Sequence, residues 1–239
     1  MTGILWVAFT AALMFALQPR HRHSLTARAH WLQSTCRRVL NVLGMPLEHT
    51  GGLPQGAVLT PNHLGYLDII VLSALAPTVF VSKAEVGRWP LFGWFARRAG
   101  TRFLQRELKA DLVRVGAELE PVIATGINLV VFLEGTSSDG RQVLPFKPSL
   151  LEPAVRNGWP VAPVRLDYQT SPGHDPAVEV AWWGTMPLPS HLLNFAGIEQ
   201  VRVRVQCGDS RIAAGERKTL AAALQAEVMA MASREPAGN

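Results

Sequence analysis

The chain has 239 residues, of which 48% are hydrophobic and 17% charged, and a formal net charge of +5 at pH 7. That length suits one α/β domain with a sizeable core, and the two distant cysteines, Cys36 and Cys207, offer neither a disulfide framework nor metal-type spacing. The basic balance raises nucleic acid as a partner, but no zinc finger, RNP-like segment or groove-suited basic helix occurs, so no nucleic acid is expected.

Residues 3–18 form an apolar run without a charge. As a helix it is roughly 24 Å long, short of the ~30 Å hydrocarbon core. A short or tilted span, a helix embedded in one leaflet and a buried core helix all fit. Arg20-His21-Arg22-His23 follows at once, which suits a headgroup layer. A second helix is predicted from Ser24 to about Leu43, ended by Gly44 and Pro46, with Trp31 on a mixed apolar and basic face. Its pattern fits an interfacial helix and equally an amphipathic helix packed on a domain. Residues 1–49 carry Arg20, Arg22, Arg28, Arg37 and Arg38 against one acid, Glu48. We therefore expect a membrane-associating two-helix element over 1–49, followed by an α/β domain over 50–235.

From Pro54 onward, strand and helix alternate. Strands are predicted at Ala57–Thr60, Thr78–Ser82, Asn128–Leu133 and Val161–Leu166, with helices near Leu67–Leu75, Pro90–Ala99, Glu107–Ala124 and Ser149–Asn157. Buried apolar strands joined by helical crossovers make a mostly parallel central sheet flanked by helices. Ala177–Trp183 and Gln200–Cys207 alternate apolar and polar residues as edge strands do, and Glu216–Ala232 reads as a closing helix. Trp159-Pro160-Val161-Ala162-Pro163-Val164 is a strand bracketed by prolines, which points to a sheet edge or pocket wall.

The most telling segment is Thr60-Pro61-Asn62-His63-Leu64-Gly65-Tyr66-Leu67-Asp68, between two apolar runs. On a continuous helix, residues five apart diverge by roughly 140°. His63 and Asp68 meet only if His63 lies in the loop and Asp68 in the first turns of the helix. An imidazole at a strand end, with a carboxylate fixing its tautomer, is equipped for proton transfer. Ordinary turn chemistry also fits these residues alone. Further polar segments end other apolar runs, at Gly100–Arg106 and Phe132–Gly140. In open α/β sheets ligands gather at such carboxyl ends.

Together these segments resemble the glycerolipid acyltransferases typified by 1-acylglycerol-3-phosphate acyltransferase. The family's Asn-His-x4-Asp motif matches Asn62, His63 and Asp68, and its Gly-x-x-Phe-(Ile/Leu)-x-Arg motif matches Gly100, Phe103, Leu104 and Arg106. Phe-Pro-Glu-Gly-Thr-Arg-Ser is matched by Phe132, Glu134, Gly135, Thr136 and Ser138, with Leu133 for Pro and Ser137 for Arg. Val161-Ala162-Pro163-Val164 is similar to the fourth motif, so the likeness runs in family order over roughly 51–168.

The resemblance implies acyl transfer from acyl-CoA or acyl-carrier protein to the hydroxyl of a lyso-lipid. No metal or tightly bound cofactor is expected, and the partners are membrane lipid and the acyl donor. His63 is then the general base and Asp68 its orienting partner, while Asn62, Arg106, Glu134, Gly135 and Thr136 are the expected acceptor contacts. Location at the cytoplasmic face of the inner or plasma membrane follows from the same likeness. Ser137 cannot make the bidentate phosphate contact of an arginine. The acceptor is therefore left between lysophosphatidic acid and another lyso-lipid such as lyso-ornithine lipid, whose bacterial acyltransferases resemble this third motif. Two rival functions remain at this point: a thioester or lipid hydrolase using the same pair, and a non-catalytic lipid-binding protein. No Gly-x-Ser-x-Gly elbow occurs, which disfavours a serine hydrolase.

Overall fold

The computed structural model describes residues 24–89, 92–104 and 109–232. The apolar run at 3–18, the basic cluster at 20–23 and Arg106 lie outside the described residues. Among those described, no helix is long and apolar enough to cross a membrane.

The first helix among the described residues, α1 (Leu25–Leu43), starts where the sequence predicts. The Ser24 side chain accepts from the Ala27 N–H, and Gly44 closes the helix at φ 63°. Then follow β1 (Leu47–Thr50), β2 (Val58–Pro61), α2 (Tyr66–Leu75), β3 (Thr78–Lys83), α3 (Phe92–Ala99), β4 (Arg102–Leu104), α4 (Lys109–Ala124) and β5 (Asn128–Val131). The remaining described elements are α5 (Glu152–Asn157), β6 (Pro160–Thr170), α6 (Pro176–Glu179), α7 (Leu188–Ala196), β7 (Val201–Cys207), β8 (Arg211–Ile212) and α8 (Arg217–Ala232).

The strands form one sheet in the order β1-β7-β6-β2-β5-β3-β4, with β8 paired to β6. All pairings are parallel except those of β6 with β7 and β8. The expected mostly parallel α/β sheet is thus observed. Both faces are covered, which explains why the central strands read as unbroken apolar runs. On one face Val58, Leu129 and Val161 pack with Val115 and Leu119 of α4 and Leu224 of α8. On the other, Leu59, Val130 and Ala162 pack with Cys36 and Leu40 of α1 and Leu67 and Val71 of α2.

Residues 24–50 are structurally continuous with this body. Ala29, Trp31, Cys36 and Leu40 of α1 are buried, and Arg37 Nε donates to the Ala74 carbonyl at the end of α2. β1 pairs with β7, so a boundary drawn at residue 49 falls within the sheet.

Three expectations are corrected. Ala177–Trp183 is not a strand, because Asp175 caps α6 through the Ala177 N–H and Pro176 occupies its first turn. The segment after Trp159 is not a sheet edge but β6, paired on both sides. Pro163 is tolerated because its carbonyl, and hence its missing N–H, faces the β7–β8 connection, where the Gly208 N–H donates to it. Ser149–Asn157 begins as a 3-10 turn over Pro148–Leu151 before α5.

Candidate active site

β2 ends at Pro61 and α2 begins at Tyr66, so His63 sits in the connecting loop and Asp68 in the first helical turn. His63 Nδ1 and Asp68 Oδ2 are 2.8 Å apart. The same carboxylate oxygen accepts from the Leu64 N–H at 2.6 Å and the Gly65 N–H at 2.9 Å. Asp68 therefore caps its own helix and shapes the loop that carries the histidine. Its other oxygen, Oδ1, accepts from the Tyr168 hydroxyl at 2.9 Å. Asp68 is fully buried, and four donors surround its negative charge, as a buried carboxylate requires.

The imidazole face stacks on Phe132, with ring centroids 3.8 Å apart and planes 20° from parallel. Its side chain is 20% exposed, so Nε2 is left as the nitrogen for a substrate. Gly65 has φ 155°, and a Cβ there would lie 3.0 Å from the Trp182 nitrogen. The Trp182 N–H donates to the Leu64 carbonyl, so the segment after α6 braces the loop from outside.

Glu134 is 2% exposed at the end of the neighbouring strand. Its Oε1 accepts from the His63 N–H at 2.8 Å and its Oε2 from the Leu144 N–H at 3.1 Å. Burial pushes its carboxyl up to about 7. The His63 and Leu144 N–H groups oppose that rise, the Asp68 charge adds to it, and the Arg165 guanidinium opposes it. Burial, and then the Asp68 charge, push the Tyr168 hydroxyl well above its ordinary value, keeping it a donor.

Two of the expected acceptor contacts are corrected by this geometry. Asn62 is buried, its amide donates to the Leu166 carbonyl at 3.0 Å, and its Oδ1 accepts from the Leu166 N–H at 2.8 Å. It ties the loop to β6 and offers no free polar atom to a lipid. Glu134 likewise has both oxygens engaged by backbone N–H groups. Gly135 follows at φ 75°, a conformation that suits glycine, and its N–H donates to the Phe132 carbonyl as the chain reverses after β5. Thr136 is exposed and Ser137 half-buried beside it. Ser138 is buried and returns to the site by donating its N–H to the His63 carbonyl at 2.9 Å.

Tyr168 is the residue that sequence reasoning missed. It lies 100 residues from Asp68, and its only signal was a phenol within the apolar run of β6. Arg102, within the Gly100–Arg106 segment, pairs with Glu118 at 3.1 Å. No group of histidine, cysteine or acidic side chains suited to a metal ion occurs among the described residues.

The acyltransferase family model matches residues 47–167, which include every segment just described except the Trp182 brace and Tyr168. The chain belongs to the acyltransferase family. This acyltransferase is 38% identical to the lyso-ornithine lipid O-acyltransferase of Rhodobacter capsulatus over 66% of its length and 56% of that protein's. The matched part thus spans little more than half of the Rhodobacter protein. It is 31% identical to the lyso-ornithine lipid O-acyltransferase of Brucella abortus over 94% of its length and 91% of that protein's. Against the 1-acyl-sn-glycerol-3-phosphate acyltransferase of Neisseria meningitidis, identity is 30% over 64% of this chain and 59% of that protein. Among solved structures, the fold matches the 1-acyl-sn-glycerophosphate acyltransferase PlsC of Thermotoga maritima with a TM-score of 0.67. That match covers 97% of this chain and 91% of the other at 18% identity, so the likeness is one of fold.

Proposed function

We propose that this acyltransferase moves a fatty acyl chain from acyl-CoA or acyl-carrier protein to the free hydroxyl of a lyso-lipid, with lyso-ornithine lipid as the favoured acceptor. The observation that carries the chemistry is the 2.8 Å contact between His63 Nδ1 and Asp68 Oδ2. With Nδ1–H donated to Asp68, Nε2 is unprotonated and accepts the proton of the attacking hydroxyl. The hydroxyl oxygen bonds to the thioester carbonyl carbon, and Asp68 stabilises the imidazolium that forms. Collapse of the tetrahedral intermediate breaks the carbon–sulfur bond, and the departing sulfur takes the proton back from His63. The site needs no serine or cysteine nucleophile for this direct transfer.

Asn62, Glu134 and Tyr168 act here as positioning residues. Asn62 and Glu134 hold the backbone on either side of the His63 side chain, and Tyr168 holds Asp68. Exposed Thr136, Gly135 and Arg106 are retained as acceptor contacts on the strength of their motifs. Membrane association through residues 1–49, at the cytoplasmic face, belongs to the same reading because the acceptor is a bilayer lipid.

Two observations favour lyso-ornithine lipid. Ser137 replaces the arginine of the phosphate-handling motif, and the Rhodobacter and Brucella relatives carry that activity in their names. Lysophosphatidic acid is the second reading, supported by the Neisseria relative. Purified full-length protein, labelled acyl donor and both acceptors decide between them. Preferential diacylation of lyso-ornithine lipid is expected, and far faster acylation of lysophosphatidic acid would overturn the choice of acceptor.

A further inference from the structure

A cavity of about 190 Å³ opens beside the catalytic loop. Leu64, next to His63, forms part of its wall, and Tyr168, which donates to Asp68, forms another. The cavity therefore adjoins the supports of the catalytic pair. Its remaining wall includes Asp139, Arg141, Asp167 and Asp175, a surplus of carboxylates on a chain whose net charge is positive.

The charges are not equivalent. Asp167 pairs with Arg165 at 2.7 Å, and Asp175 pairs with Arg141 at 3.0 Å while capping α6. Asp139 accepts from the Arg141 backbone N–H at 3.1 Å and has no cationic partner among the described residues. The carboxylates do not gather into a metal-type cluster. An organic cation is the complementary guest, and the adjacent Arg141 guanidinium, which meets Asp175 through Nη2 alone, keeps further N–H donors for a carboxylate carried by the same molecule.

We infer that this cavity is the headgroup subsite for a zwitterionic amino-acid lipid, with the free ammonium of the acceptor directed to Asp139 and its carboxylate to Arg141. This rests on the lyso-ornithine reading and supplies its physical basis. The surplus negative charge disfavours a phosphomonoester, which carries up to two negative charges of its own. Selectivity then has two parts: no cation at Ser137 and an anion at Asp139.

The test compares wild type with Asp139→Asn, which keeps an oxygen to accept the Arg141 N–H. Both proteins are assayed in mixed micelles with lyso-ornithine lipid, with the same lipid acetylated on its free amine, and with lysophosphatidic acid. For the unmodified acceptor, KM is expected to rise about tenfold in the variant, a size between those of exposed and buried charge pairs. With the acetylated acceptor, wild type and variant should agree within about twofold, because the partner charge is already gone. If wild type uses lyso-ornithine lipid but Asp139→Asn leaves its KM unchanged, or weakens both ornithine acceptors equally, the cavity assignment is wrong and the proposed acceptor stands. If wild type acylates lysophosphatidic acid and neither ornithine acceptor, the proposed acceptor fails and the cavity assignment falls with it.

Discussion

The two halves of the segment after β5 are built to different standards. Phe132 and Glu134 are buried, stacked on the His63 ring or bonded to its backbone, with every polar atom of the Glu134 carboxylate engaged. Thr136 is exposed and Ser137 half-buried only two or three residues later. The first half holds the His63 ring and backbone in place, and in the proposed function the second faces the acceptor. A fold that holds the proton acceptor through many backbone hydrogen bonds leaves its neighbours free to vary with the acceptor. The departure from the family pattern at Ser137 falls on the free side.

The contrast can be broken from the rigid side first. Asp68→Asn keeps the shape but presents a neutral amide to His63, so the tautomer is no longer fixed and the imidazolium loses its counter-charge. A loss of about a hundredfold in kcat is expected. The amide also cannot accept from every donor that meets the carboxylate, so thermal unfolding should show a loss of about 1–3 kcal/mol. Unchanged kcat would mean that Asp68 only caps its helix.

Tyr168→Phe is a smaller perturbation. It strips one donor from Asp68 Oδ1 and should cost about 1 kcal/mol in stability. Because the remaining donors still hold the carboxylate, kcat should fall by less than about tenfold. A loss as large as that of Asp68→Asn would give the phenol a more direct part in the reaction.

Glu134 sets up a pH test. Its folded carboxyl is raised to about 7 from an ordinary 4.5, so the folded chain binds the proton more tightly than the unfolded one. That contribution is complete below pH 4.5 and is lost as pH rises through about 7. Glu134→Gln has no such titration. The melting temperature of wild type relative to the variant should therefore decline across that window, and a rise would reverse the assigned sign.

On the free side, Ser137→Arg should shift the ratio of kcat/KM toward lysophosphatidic acid by a few-fold, about the worth of one partly exposed charge contact. The melting temperature should stay near that of wild type. A large loss of stability would show that position 137 is as constrained as Glu134.

The sequence makes some of this legible for local reasons. His63 and Asp68 are five residues apart, and the geometry of one loop and one helical turn is enough to bring them together. The apolar strands announce a sheet covered on both faces. Asn62 and Glu134 are harder, because Leu166, His63 and Leu144 bind them through backbone groups, which leave no side-chain signature. Tyr168 reaches Asp68 only once β6 lies beside β2, a consequence of sheet order that no local pattern encodes. Ala177–Trp183 imitates a strand in its alternation, whereas Asp175-Pro176 was the helix-start signal that should have prevailed.

The central claim is that His63 takes the proton of a lyso-lipid hydroxyl during direct acyl transfer. The most direct measurement mixes labelled acyl donor and lyso-ornithine lipid with wild type or His63→Ala and separates the lipid products. Wild type should form the diacylated lipid, and His63→Ala should form it about a thousandfold more slowly, with the chain still folded and its melting temperature only modestly lowered by the loss of one Asp68 hydrogen bond and the Phe132 stack. Full activity in His63→Ala, or free fatty acid as the sole product of wild type, would contradict the account.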